Sequence, residues 1–122
     1  MANCVKYALV AEVGCMNTEI INQLEQSKIV VIVRGVEREK LIDLVQAVYD
    51  GGIRFLEITY SANGSVSDEE TAANISLLCK RFGDKMRIGA GTVLTEKQVE
   101  LTYNAGGEFI ISPDTDESVK YR

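Results

Sequence analysis

A chain of 122 residues, 46% hydrophobic and 25% charged, has the length of one small domain and enough apolar material for a packed core. Its net charge of -5 excludes a general nucleic-acid binder, because the lysines and arginines are scattered among acids and phosphate neutralisation needs them clustered. The absence of histidine removes Ser-His and Cys-His nucleophile pairs and every histidine metal site, and no dense carboxylate cluster points to Mg²⁺, so neither a metal nor a cofactor is expected.

Cys4, Cys15 and Cys79 are odd in number and show no CxxC spacing, which suits reduced thiols in a cytoplasmic protein better than disulfides or zinc. No apolar run approaches the ~20 residues of a membrane helix, so no membrane partner is expected. The stretch Tyr7-Ala8-Leu9-Val10-Ala11 before Cys15 faintly suggests a lipoprotein signal, but it is short, Glu12 interrupts it and only Lys6 precedes it as a cation. Residues 1–15 are left as an unassigned N-terminal extension. The domain is expected over residues 16–122, with Met16 a candidate second start point.

In chain order, Asn17 or Thr18 can cap a helix reaching about Gln26, with Ile20, Ile21 and Leu24 on one face. Ile29-Val30-Val31-Ile32-Val33 reads as a strand buried on both faces, the habit of parallel sheets. Leu41, Leu44, Val45 and Val48 mark a helix over 37–50 that Gly51-Gly52 stops. A second strand follows over 53–59, then a polar loop, Ser61-Ala62-Asn63-Gly64-Ser65. Ser67-Asp68-Glu69-Glu70 has the form of a capping box, opening a helix that runs to Phe82 and ends at Gly83. A third strand lies near 86–90. Thr95-Glu96-Lys97-Gln98 is a second capping box, opening a helix that ends at Gly106-Gly107. A fourth strand over 108–111 leads into Ser112-Pro113, and Asp114-Thr115-Asp116-Glu117 opens a fourth helix.

One helix followed by four strand–helix units with short connections implies parallel strands. An open doubly wound sheet would want G-x-G-x-x-G after its first strand, whereas Arg34-Gly35-Val36-Glu37-Arg38 stands there. The expected fold is therefore α/β, a parallel (β/α) TIM-type barrel. A whole barrel has eight units over about 250 residues. About four units are present, the N-terminal half, and the open edges predict association with another chain.

In such barrels the chemistry sits at the C-terminal ends of strands. Alternation puts Phe55, Glu57 and Thr59 on one face and Leu56 and Ile58 on the other. Leu56 and Ile58 suit packing against helices, which turns Glu57 inward. Burial there raises a carboxylate's pKa toward a value useful for proton transfer; the competing role is a structural ion pair. Arg34 offers a planar donor fork for a carboxylate or phosphate, or a partner for Glu57. Gly89-Ala90-Gly91-Thr92 leaves room for a ligand's close approach and brings a hydroxyl to the mouth. Pro113 fixes the backbone after the fourth strand.

Taken in order, four stretches resemble the KDPG/KHG aldolase family, the 2-keto-3-deoxy-6-phosphogluconate and 2-keto-4-hydroxyglutarate aldolases. They are Lys28-Ile29-Val30-Val31-Ile32-Val33-Arg34; Gly51-Gly52-Ile53-Arg54-Phe55-Leu56-Glu57-Ile58-Thr59; Ile88-Gly89-Ala90-Gly91-Thr92-Val93-Leu94; and Ala105-Gly106-Gly107-Glu108-Phe109-Ile110-Ile111-Ser112-Pro113. The likeness runs from Met16 to the C-terminus. It implies a barrel lyase of carbohydrate metabolism, in the Entner–Doudoroff type of reaction, that cleaves a 2-keto acid to pyruvate and an aldehyde through a lysine Schiff base. It makes Glu57 the catalytic proton shuttle. Arg34, Thr59, Thr92 and Pro113 become the substrate-binding set, and a homotrimer the expected assembly.

The sequence departs from the family in three places, one being that the phosphate-binding glycine segments near the family's C-terminus are missing. Some relatives carry an arginine two residues beyond the position of Thr59, where Ser61 stands here. The family's Schiff-base lysine lies in a K-x-F-P-like motif, and none of Lys6, Lys28, Lys40, Lys80, Lys85, Lys97 or Lys120 does. The 122 residues alone are thus expected to lack Schiff-base aldolase activity. The alternatives are a non-catalytic half-barrel that associates with another chain or binds a small keto acid, and a phosphate-handling barrel of the thiamin-phosphate-synthase type, for which no pyrophosphate and Mg²⁺ residues are found.

Overall fold

The computed structural model describes residues 18–113. The order is α1 (Thr18–Ser27), β1 (Val30–Val33), α2 (Arg38–Asp50), β2 (Phe55–Thr59), α3 (Asp68–Phe82), β3 (Arg87–Gly91), α4 (Glu96–Asn104) and β4 (Ile110–Ile111). All four strands are parallel, in the order β1-β2-β3-β4. The suggested fourth helix and the N-terminal extension lie outside the described residues. No described helix is long and apolar enough to cross a membrane.

The helices start and stop where local chemistry dictates. The Ser67 hydroxyl accepts the Glu70 amide at the head of α3. Thr95 forms both halves of its capping box with Gln98 at the head of α4. After α2 the chain turns at Gly52, whose φ of 92° lies where L side chains are disfavoured. Residues 53 and 54 close that helix instead of opening the strand: Ile53 donates its amide to Val48, and the Arg54 guanidinium donates to the Tyr49 carbonyl while lying 4.0 Å from the Tyr49 ring centroid. The second strand accordingly begins at Phe55.

The two sheet faces are covered differently. Val33, Leu56, Ile58, Ile88, Ala90 and Ile110 pack on one face against Leu41 and Val45 of α2, Ile75, Leu78 and Phe82 of α3, and Val99 of α4. On the other face a smaller cluster forms where Leu24 of α1 meets Phe55, Phe109 and Ile111. This corrects the expectation that the first strand is buried on both faces. Ile29 is 45% and Ile32 48% exposed. β1 is an edge strand, and Ile32 lies one inward position beyond Val30, the last that packs in the Leu24 cluster.

Candidate active site

The inner face carries the strand-end residues, of which Glu57 and Thr59 are buried. Glu57 sits in the centre of the sheet, in register with Ile32 of β1 and Gly89 of β3. It is 3% exposed, and its Oε2 is buried without a hydrogen-bond partner among the described residues. Loss of hydration raises its pKa from 4.5 to about 7, and the nearby charge of Arg34 opposes that rise. Such a carboxyl is populated in both protonation states near neutrality and can both take and give a proton.

Space for this carboxylate comes from a neighbouring backbone. A Cβ on Gly91 would lie 2.4 Å from Glu57 Oε1, and one on Gly89 would lie 2.5 Å from the Phe109 ring. The glycine-rich stretch was expected to leave room for a ligand. Its room at these two positions is taken by the protein's own side chains, because Glu57 of β2 and Phe109, just before β4, lie against the β3 backbone.

Arg34 follows β1 and reaches across the strand ends. Its Nε donates to Thr59 Oγ1 and its Nη2 to Thr92 Oγ1, both at 3.4 Å, near the long limit for such bonds. Thr59 Oγ1 in turn donates to the Val33 carbonyl at 3.3 Å. Three of the residues singled out in sequence thus converge, and Glu57 lies within the field of the same guanidinium. No carboxylate forms an ion pair with Arg34 among the described residues. Arg87, at the opposite end of the sheet, is by contrast paired with both Glu108 and Glu19. A cation left without a carboxylate beside two hydroxyls can receive a small carboxylate ligand. Pro113 lies exposed beyond β4, and no hydrogen bond ties it to this cluster among the described residues.

Two contributors escaped the sequence reading. Ser112, 1% exposed, donates its hydroxyl to the Val93 carbonyl at 2.7 Å. Gln98, also buried, accepts the amides of Leu94 at 2.8 Å and Thr95 at 3.2 Å. Ser112 looks like an ordinary turn residue before proline, and only the capping-box pattern hinted at Gln98. A separate cleft of about 400 Å³ opens at the opposite end of the sheet, bordered by Gln23, Ser27, Arg54 and Lys85, and it holds none of the strand-end residues.

The parallel strands, with α2, α3 and α4 on one face and polar side chains gathered at the C-terminal strand ends, define part of a TIM-type β/α barrel. The model of the KDPG and KHG aldolase family matches residues 20–121, and the chain belongs to that family. It is 32% identical over 94 residues to 2-dehydro-3-deoxy-phosphogluconate aldolase of Treponema pallidum, covering 77% of this chain and 41% of that protein. It is 30% identical over 91 residues to 2-dehydro-3-deoxy-6-phosphogalactonate aldolase of Escherichia coli K12, covering 75% and 42%. Among solved structures, a native KDPGal structure superposes with a TM-score of 0.63 at 32% identity, covering 74% of this chain and 41% of that one. The KDPG aldolase of Legionella pneumophila, with pyruvate captured at low pH as a covalent carbinolamine intermediate, superposes with a TM-score of 0.63 at 25% identity, covering 93% and 43%. The chain spans less than half the length of these relatives.

Proposed function

We propose that these residues form the acid–base and carboxylate-binding part of a Schiff-base aldolase. The substrate would be 2-keto-3-deoxy-6-phosphogluconate or 4-hydroxy-2-oxoglutarate, released as pyruvate with glyceraldehyde 3-phosphate or glyoxylate. The observation that carries the reading is Glu57, a buried carboxyl whose Oε2 has no hydrogen-bond partner among the described residues and whose pKa is raised to about 7, near an Arg34 guanidinium that forms no ion pair among those residues. The carbinolamine of pyruvate held by the Legionella relative supports an amine nucleophile for the same chemistry here.

In this reading the 2-keto acid presents its carboxylate to Arg34, with Thr59 and Thr92 beside it. An amine from a lysine outside these 122 residues adds to the C2 carbonyl, and loss of water leaves a protonated imine. A proton leaves the C4 hydroxyl, the C3–C4 bond breaks, and its electron pair passes into the imine to give an enamine and the free aldehyde. The enamine then takes a proton at C3, and hydrolysis releases pyruvate. Glu57 carries the protons of imine formation and of the new methyl group, a task matched by its pKa near the working pH. Residues 16–122 act as part of the barrel, Pro113 lines its mouth, and assembly into a cytoplasmic trimer belongs to the same reading.

The test is a carbon-13 NMR titration of the glutamate carboxyl groups with and without pyruvate. The reading expects one carboxyl titrating near 7, lost in Glu57→Gln and shifted by pyruvate. A Glu57 that titrates with the surface glutamates would sink it. Borohydride reduction in the presence of pyruvate is expected to leave every lysine of this chain unlabelled. The exposed Ile32 favours a second reading, a half-barrel that binds another chain without catalysis, and it keeps the Glu57 titration unaffected by pyruvate.

A further inference from the structure

Thr92 is a β-branched residue at φ 55°, in the left-handed region where such side chains are rarely found. A strained backbone persists only when its surroundings over-determine it, and such positions gather at functional sites. The surroundings of Thr92 do so on both sides. The Gly91 carbonyl before it accepts the Tyr60 amide at 2.9 Å. Beyond it the Val93 side chain is fully buried, and the Val93 carbonyl accepts the buried Ser112 hydroxyl at 2.7 Å. The next two amides, Leu94 and Thr95, both donate to Gln98 Oε1, and Gln98 Nε2 is itself tied to Asp68 Oδ1 at 3.0 Å. In this conformation the Thr92 hydroxyl meets Arg34 Nη2.

We propose that Ser112 and Gln98 are positioning residues that hold Thr92 in its left-handed conformation and so aim its hydroxyl at Arg34, completing a clamp for the carboxylate of a small 2-keto acid. This rests on the carboxylate-binding reading above. Ser112, just beyond β4, reaches the clamp through the Val93 carbonyl. On this proposal its effect on binding passes through Thr92, which separates it from a residue that merely stabilises the fold.

Pyruvate titrations of the chain followed by NMR supply the test, together with thermal melts. Ser112→Ala is expected to weaken pyruvate binding about tenfold, the equivalent of one good hydrogen bond to a charged partner. Thr92→Ala is expected to do the same, and the double variant to bind no more weakly than Thr92→Ala alone. Ser112→Thr, which keeps the hydroxyl, retains most of the affinity. Thr92→Gly, which relieves the strain and removes the hydroxyl, is expected to raise Tm while weakening binding. Factors that multiply in the double variant, or unchanged affinity in Ser112→Ala, overturn the proposal. If Ser112→Ala does not fold, the Thr92→Gly melt decides, and a Tm at or below that of the parent overturns it. Failure of the parent chain to bind pyruvate counts against the carboxylate-binding reading, and the positioning of Thr92 is then judged on that melt.

Discussion

Gly91 of β3 leaves room for Glu57 of the adjacent β2: a Cβ on Gly91 would stand 2.4 Å from Glu57 Oε1 and 2.7 Å from its carboxyl carbon. The carboxylate therefore lies flat against the β3 backbone, shielded from water on that side. Gly91→Ala is expected to push the carboxyl off this seat. Overpacking of this kind costs about 1–3 kcal/mol, and the displaced Glu57 should titrate below its present value of about 7 as it regains water. Urea unfolding measures the first effect and carbon-13 titration the second. An alanine variant with the parent's stability and the parent's Glu57 titration would show that the contact is not made.

Glu57 also sets a pH dependence of stability, with the sign opposite to that of an ion-paired acid. Its folded pKa of about 7 exceeds the ordinary 4.5, so between those values the folded chain holds more protons than the unfolded one. Stability therefore falls as pH rises from 4.5 to 7, and the full cost of the buried charge is felt above 7. The displacement corresponds to about 3 kcal/mol. Glu57→Gln should remove this slope and leave the chain more stable than the parent at pH 8, with little difference at pH 4. Chemical denaturation across that range is the measurement, and a parent chain whose stability climbs from pH 5 to pH 8 would contradict it.

Arg34 opposes the rise in the Glu57 pKa and donates to the Thr59 and Thr92 hydroxyls; in the function proposed above it also receives the substrate carboxylate. Arg34→Met keeps much of the side-chain length and removes the charge. The Glu57 titration should move further upward, and pyruvate binding should weaken at least about tenfold with the loss of a charge-assisted bond. Arg34→Lys restores the charge but not the fork that reaches both threonines, so it should recover the Glu57 titration more fully than the affinity. Equal recovery of both would assign Arg34 the role of a point charge only.

Much of this arrangement can be read from the residues themselves. The inward turn of Glu57 follows from period-two alternation, because Leu56 and Ile58 must face the helices and do so. The caps at Ser67 and Thr95 are local chemistry, and they placed two helices correctly. The convergence of Arg34, Thr59 and Thr92 is not local: it depends on how three parallel strands come into register, and the strand-end rule together with the family resemblance suggested it. The seat that Gly91 provides, and the hold of Ser112 on Val93, depend on contacts between side chains and backbone atoms of different strands. No spacing rule reaches those. The exposure of Ile32 was missed because a run of β-branched residues signals a buried parallel strand whether or not the elements that would cover it are beside it.

That exposure carries the last prediction. Ile32 lies open on the edge strand β1 and Ile29 just before it, and the outer row of backbone groups of β1 has no neighbouring strand among the described residues. Exposed apolar edges of parallel sheets pair readily with other chains. The chain is therefore expected to associate in a concentration-dependent way, as sedimentation would reveal. Ile32→Thr keeps the branched shape that favours a strand while replacing apolar surface with a hydroxyl. It should weaken association without lowering Tm, because Ile32 is 48% exposed and contributes little to either core cluster. Ile42→Thr is the matched control: Ile42 packs on the helix side of the sheet, so that change should cost stability and leave association untouched. A folded parent chain that stays monomeric at every concentration tested would show that the open edge is already protected by other means.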